Sequence, residues 1–297
     1  MQRLFTRFIA LLVSGICGIA TAQTDLVEGN KGNCTSFEWI TDVDGAEKAA
    51  MVVTANVAGR KTKLQFDTGS DVSGLYLGAF KDLTTNRNEY GYDITTIDLK
   101  VGELDLGRQP FHRMPWPTSL VSGRIGLQAL IGKIIRIDYP NQQICQISTE
   151  QFEQHRLQMH LVPAEIRSRK LFLISKLAGD INDDLFFDTG ASLYELLVDK
   201  TNWQHLTGRQ GNESDNLQIS GWSHDRVVTT IGAPLTTQLA FGSFVAEQPM
   251  VHFIAEQPKR FEHNAIKTEG LIGNAPFFDE VVVMDLRKEE AWFGILK

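Results

Sequence analysis

Apolar and polar positions along this chain fall into short runs separated by Gly, Asn, Asp and Pro. Short apolar runs bounded by turn formers predict strands rather than long helices. Two of them, MVVTANVAG from Met51 and LFLISKLAG from Leu171, end in Ala-Gly, and each is followed by a second apolar run that reaches an aspartate. Eight residues separate Gly59 from Asp67, and nine separate Gly179 from Asp188. That pattern predicts two β-hairpins with Gly-containing turns, the second strand of each delivering an aspartate at its end.

The match continues beyond the hairpins. LQFDTGSDVS (Leu64 to Ser73) corresponds to LFFDTGASLY (Leu185 to Tyr194), and VGELDLGRQPF from Val101 resembles FGSFVAEQPM from Phe241. GRIGLQALIGKIIRIDYPNQQI from Gly123 pairs with GLIGNAPFFDEVVVMDLRKEEA from Gly270, and Gly126 to Asp138 and Gly273 to Asp285 are both intervals of twelve. The shared pattern reads as a Gly-x-x-Gly turn, a short helical stretch, then a β-branched strand and a hairpin. Four features in one order indicate a duplicated unit. The first copy runs from about 45 to 147 and the second from 168 to 297. Residues 148–167 form a polar, Pro-broken connector with a turn or two of helix, and 23–44 form an N-terminal segment. An all-β, two-lobed architecture follows.

Carboxylates on buried strand ends are costly to ionise, and here there are two of them in equivalent places. Asp67-Thr68-Gly69-Ser70 and Asp188-Thr189-Gly190-Ala191, with the glycine turns at Gly123–Gly126 and Gly270–Gly273, resemble the pepsin-like and retropepsin-like aspartic proteases. Two intact copies in one chain are similar to the fused pepsin type, a pseudo-dimer within a monomer, rather than the single-lobe homodimer. The resemblance implies two pseudo-symmetric β lobes with a cleft between them and a few short helices. It implies an endopeptidase acting on peptide or protein substrates, without cofactor or metal, in which Asp67 and Asp188 share one proton and activate a water. Thr68 and Thr189 would lock the two loops together, and Gly69 and Gly190 would let backbone N–H groups approach the carboxylates. Ser70 would add a hydroxyl donor to Asp67 that Ala191 cannot give Asp188, which places the shared proton on Asp188.

Departures from the family pattern matter too. Only TTNRNEYGYD follows the helix expected to end near Leu83, so a first-lobe flap is short, and Tyr90 and Tyr92 are weak cleft-lining candidates. LQISGWSHDRVVTTI in the second lobe reads as a hairpin tipped by Trp222 and His224, either a cover over the cleft or an ordinary surface hairpin. Residues 23–48 hold only Lys31 and Lys48 against six acids, so a basic prosegment is not evident. A protease-shaped protein that binds peptides without cleaving them is the alternative reading.

Composition narrows the setting. Charged content of 22% and a net charge of −7 suit a soluble globular protein and argue against a nucleic-acid partner. Arg3, Arg7, the apolar stretch FIALLVSGICGIA and Ala20-Thr21-Ala22 read as a cleaved export signal over residues 1–22. The alternative, an uncleaved anchor, is short for a bilayer span. No later segment reads as a membrane span, so the expected location is periplasmic or secreted. Signal removal leaves Cys34 and Cys145, either bonded to each other or as two free thiols. His155 and His160 lack the spacing of a helical zinc site, and no serine-hydrolase elbow occurs.

Overall fold

The computed structural model describes residues 33–42, 44–117, 120–223, 226–262 and 266–296; the expected export segment lies outside them. The chain is all-β, with a few short helices such as Leu77–Phe80, Thr149–His155 and Lys200–Thr207. Ala50–Val57 pairs with Arg60–Asp67, and Lys170–Leu177 pairs with Asp180–Phe187. Their turns, Ala58-Gly59 and Ala178-Gly179, have positive φ at all four residues. This two-residue turn matches the right-handed twist of the flanking strands.

Beyond each hairpin the same pairing recurs. Arg60–Asp67 runs parallel to Gly123–Gly126, which is antiparallel to Ser73–Tyr76, itself parallel to Leu104–Met114. Asp180–Phe187 runs parallel to Gly270–Ile272, which is antiparallel to Leu196–Val198, itself parallel to Met250–Ile254. The Gly-x-x-Gly segments, expected as turns, are therefore the central strands of this motif. Glycine is required there for close strand crossing: a methyl on Gly123 would lie 2.4 Å from the Gly74 carbonyl oxygen, and one on Gly273 would lie 2.1 Å from that of Ala191.

An eight-stranded sheet holds the first copy of the motif, and a fifteen-stranded sheet holds the second. The larger sheet also takes Ile134–Asp138 and Gln143–Gln146 from the end of the first copy. Ile134–Asp138 lies antiparallel on Val281–Asp285, with Ile135, Ile137, Val282 and Met284 all buried. These are the β-branched strands that begin after each glycine segment. Asp138 and Asp285 pair there with Arg136 and Arg287.

Among the described residues, two strands precede residue 45. Cys34–Ser36 pairs with Gln143–Gln146, placing Cys34 opposite Cys145, and the two are disulfide-bonded. The chain-entropy model puts an upper value of about 4–5 kcal/mol on closing so long a loop. Glu38–Ile40 pairs with Ala50–Val57. The connector is only partly irregular: Ser148 caps the Thr149–His155 helix, and His160–Arg167 is a strand between Glu290–Leu296 and Lys170–Leu177. Pro163 is tolerated because it pairs with Trp292 alone, and pairing on its other side begins at Ala164. Among the described residues no helix is long and apolar enough to cross a membrane.

Candidate active site

Each repeated hairpin ends in an Asp-Thr-Gly loop, and the two loops cross. The Thr68 backbone N–H donates to Thr189 Oγ1 at 2.9 Å, and the Thr189 N–H donates to Thr68 Oγ1 at 3.0 Å. Each hydroxyl then donates to a strand carbonyl of the other copy, Thr68 to Phe187 at 3.1 Å and Thr189 to Phe66 at 2.8 Å. Both threonines are fully buried. A hydroxyl that accepts and donates at once is what this reciprocal arrangement requires.

The crossing brings the carboxylates together. The Ser70 N–H donates to Asp67 Oδ1 at 3.0 Å, and the Gly190 N–H donates to Asp188 Oδ1 at 2.7 Å. A methyl on Gly69 would lie 2.0 Å from the Asp188 carboxyl carbon. One on Gly190 would lie 2.6 Å from Asp67 Oδ1 and 2.9 Å from Asp188 Oδ1, so those oxygens are at most 5.5 Å apart, the sum of the two distances. Both residues line a cleft of about 630 Å³.

Burial pushes the Asp188 carboxyl up to about 7; the Asp67 charge adds to the rise, and the Lys170 ammonium opposes it. Asp188 keeps some solvent contact on its cleft side, but the protein packed around its other faces makes desolvation the leading cause. Two carboxylates held this close cannot both ionise easily.

No family model matches the chain, and no curated protein matches it. Among solved structures it is similar to conglutin gamma, a unique basic 7S globulin from lupine seeds. The identity is 9% and the TM-score 0.48, over 90% of this chain and 95% of that one. These comparisons assign no family.

The structure departs from the sequence reading at several positions. The Ser70 hydroxyl donates to the Val72 carbonyl at 2.8 Å, not to Asp67. The difference between Ser70 and Ala191 is therefore not what distinguishes the two carboxylates. Tyr90 and Tyr92 are 74% and 59% exposed and do not line the cleft; the Tyr92 ring packs on His112 at 5.6 Å. Leu217–Ser223 and Arg226–Pro234 form the expected hairpin, whose Val228 lines the cleft. His224 and the Trp222 side chain lie outside the described residues.

Facing that hairpin is a loop that the sequence reading did not single out. Thr41 and Asp42 line the cleft, and Asp44 Oδ2 accepts a hydrogen bond from the Ser220 N–H at 2.9 Å. Three further cleft residues were missed. Arg124 Nη1 lies 3.5 Å from Asp67 Oδ2, Lys170 Nζ donates to the Gly69 carbonyl, and Gln65 Nε2 donates to the Gly190 carbonyl at 3.2 Å. The opposite wall is apolar, formed by Phe172, Phe186, Val228, Ile254, Phe261 and Leu271.

Proposed function

We propose that the chain is an aspartic endopeptidase of bilobal, pepsin-like arrangement, hydrolysing peptide bonds with a water activated between Asp67 and Asp188. The observation that carries this reading is the pair of carboxylate oxygens meeting at Gly190, at the floor of a cleft lined on one side by apolar side chains. Asp188, whose carboxyl is pushed up to about 7, supplies the acid, and Asp67 supplies the base. The Asp67 carboxylate takes a proton from the water as its oxygen attacks the peptide carbonyl carbon. Asp188 donates its proton to the carbonyl oxygen, giving a tetrahedral diol. Breaking the C–N bond then sends a proton to the leaving nitrogen and returns one proton to the pair. Both aspartates come from one chain, so a monomer holds a complete site. The Cys34–Cys145 disulfide supports an exported enzyme working outside the reducing cytosol.

Digestion of an unstructured protein over a range of pH, with Asp67→Asn and Asp188→Asn as controls, tests the proposal. Cleavage by the parent that is lost in both variants supports it. Equal cleavage by all three would assign the activity to a contaminant. Capture of the polypeptide without cleavage would instead favour a non-catalytic peptide binder.

A further inference from the structure

The two copies of the motif differ where they face the carboxylates. In the first copy Gln65 stands opposite Arg124 across the parallel strand pair; in the second, Phe186 stands opposite Leu271. Equivalent positions on one scaffold thus present a guanidinium to Asp67 and an isobutyl group on the Asp188 side. Arg124 Nη1 is 3.5 Å from Asp67 Oδ2, with both side chains largely buried. The guanidinium also lies 4.9 Å from the centroid of the Trp116 ring, a packing that restrains a long side chain. Among the described residues no other carboxylate pairs with Arg124, and its buried Nε–H meets no acceptor. The cation is therefore not part of a wider structural ion network.

We propose that Arg124 is a positioning residue that holds the negative charge of the Asp67–Asp188 pair on Asp67, leaving the shared proton on Asp188. The inference rests on reading the two carboxylates as a proton-sharing pair, as above. Other groups face Asp67 as well. The Ser70 N–H donates from its own loop, and Asp188 and Gly190 approach from the other copy. The Tyr76 phenol feels both Arg124 and Asp67 and is pushed up, chiefly by burial. Asp71 lines the same cleft. Lys170 sits on the Gly69 carbonyl, where it acts on Asp188. Of these groups only Arg124 is a full positive charge placed against Asp67, and Lys170, acting on the other acid, works against the asymmetry. Arg124 thus sets which carboxylate is the base, a choice that the symmetric Thr68–Thr189 lock leaves open.

The test compares Arg124→Gln, Arg124→Leu (the residue of the second copy) and Arg124→Lys with the parent. The acid limb of the kcat/KM–pH profile is measured, alongside carboxyl-carbon NMR titration of protein with labelled aspartate. Loss of an opposite charge at this range moves the acid limb to higher pH by about one unit. That shift is expected in the Gln and Leu variants, with the Lys variant following the parent. A limb that stays in place in the Gln variant, even with a lower rate, overturns the proposal, as does an equal shift in the Lys variant. The NMR titration needs no turnover. If the parent cleaves nothing, the protease reading fails, while the titration still decides whether Arg124 localises the charge.

Discussion

Replacing Thr68 with valine isolates the reciprocal lock. Valine fills the same volume, so no cavity term arises, and the change reduces to the loss of one oxygen. That oxygen accepts from the Thr189 N–H at 3.0 Å and donates to the Phe187 carbonyl at 3.1 Å. Thr189 and Phe187 are both fully buried, so water cannot replace either partner. Stranding a buried polar group costs about 1–3 kcal/mol, so two such groups give an expected loss of roughly 2–6 kcal/mol. Against a typical folding free energy of about 5–15 kcal/mol, that is a large share. Urea unfolding followed by tryptophan fluorescence measures it, with Thr68→Ser as the control that keeps the hydroxyl. A loss below about 1 kcal/mol, or a serine variant as unstable as the valine one, would refute the reasoning. Thr68→Val combined with Thr189→Val is expected to cost less than the two single changes summed, because the first substitution already loosens the crossing.

Gly69→Ala places a methyl 2.0 Å from the Asp188 carboxyl carbon; proteolysis is expected to vanish while circular dichroism keeps its β signature, and undiminished cleavage would contradict the close approach. Asp188 and His252 give stability opposite dependences on pH. The folded chain holds the Asp188 proton up to about 7, whereas the unfolded chain releases it near 4, so this contribution is lost as pH rises between those values. Asp188→Asn is therefore expected to be more stable than the parent at pH 8, with the gap closing on acidification, as thermal unfolding at several pH values would show. His252 is fully buried, and burial pushes it down to about 4 against a weaker upward pull from a hydrogen bond with the Leu196 backbone. Its neutral form stabilises the fold at neutral pH, and that contribution is lost as pH falls from about 6.5 towards 4. His252→Gln is expected to flatten the acid side of the stability curve.

Much of the fold could be read from local chemistry. Ala58-Gly59 and Ala178-Gly179 mark their turns because only a compact two-residue connection lets two apolar runs pair. The twelve-residue spacing from Gly126 to Asp138 and from Gly273 to Asp285 placed the strands that later meet. Asp67 and Asp188 stood out because a carboxylate at the end of an apolar strand requires a reason. Other features depended on register or on distant packing. Gly123 and Gly270 read as turn formers, but their role is to admit a crossing backbone, and spacing alone does not separate the two. The Ser70 hydroxyl found its acceptor in the Val72 carbonyl rather than in Asp67. Arg124 stood inside a recognised motif, yet its direction follows from the parallel pairing of Gln65 with Arg124. Strand His160–Arg167 was hidden by Pro163, which is harmless only because of where its neighbours stop.

The fifteen-stranded sheet has a mechanical consequence. Ile134–Asp138 lies on Val281–Asp285 in an unbroken ladder, and the threonines knot the halves together above it. The two copies of the motif are thus joined by more than the polypeptide between them, and parting them would twist a continuous β ribbon. For the proposed endopeptidase, a long polypeptide would then enter more cheaply by parting the rim, where the Asp44–Ser220 hydrogen bond joins two loops. In that proposed enzyme the scissile bond would meet a braced floor while the rim yields.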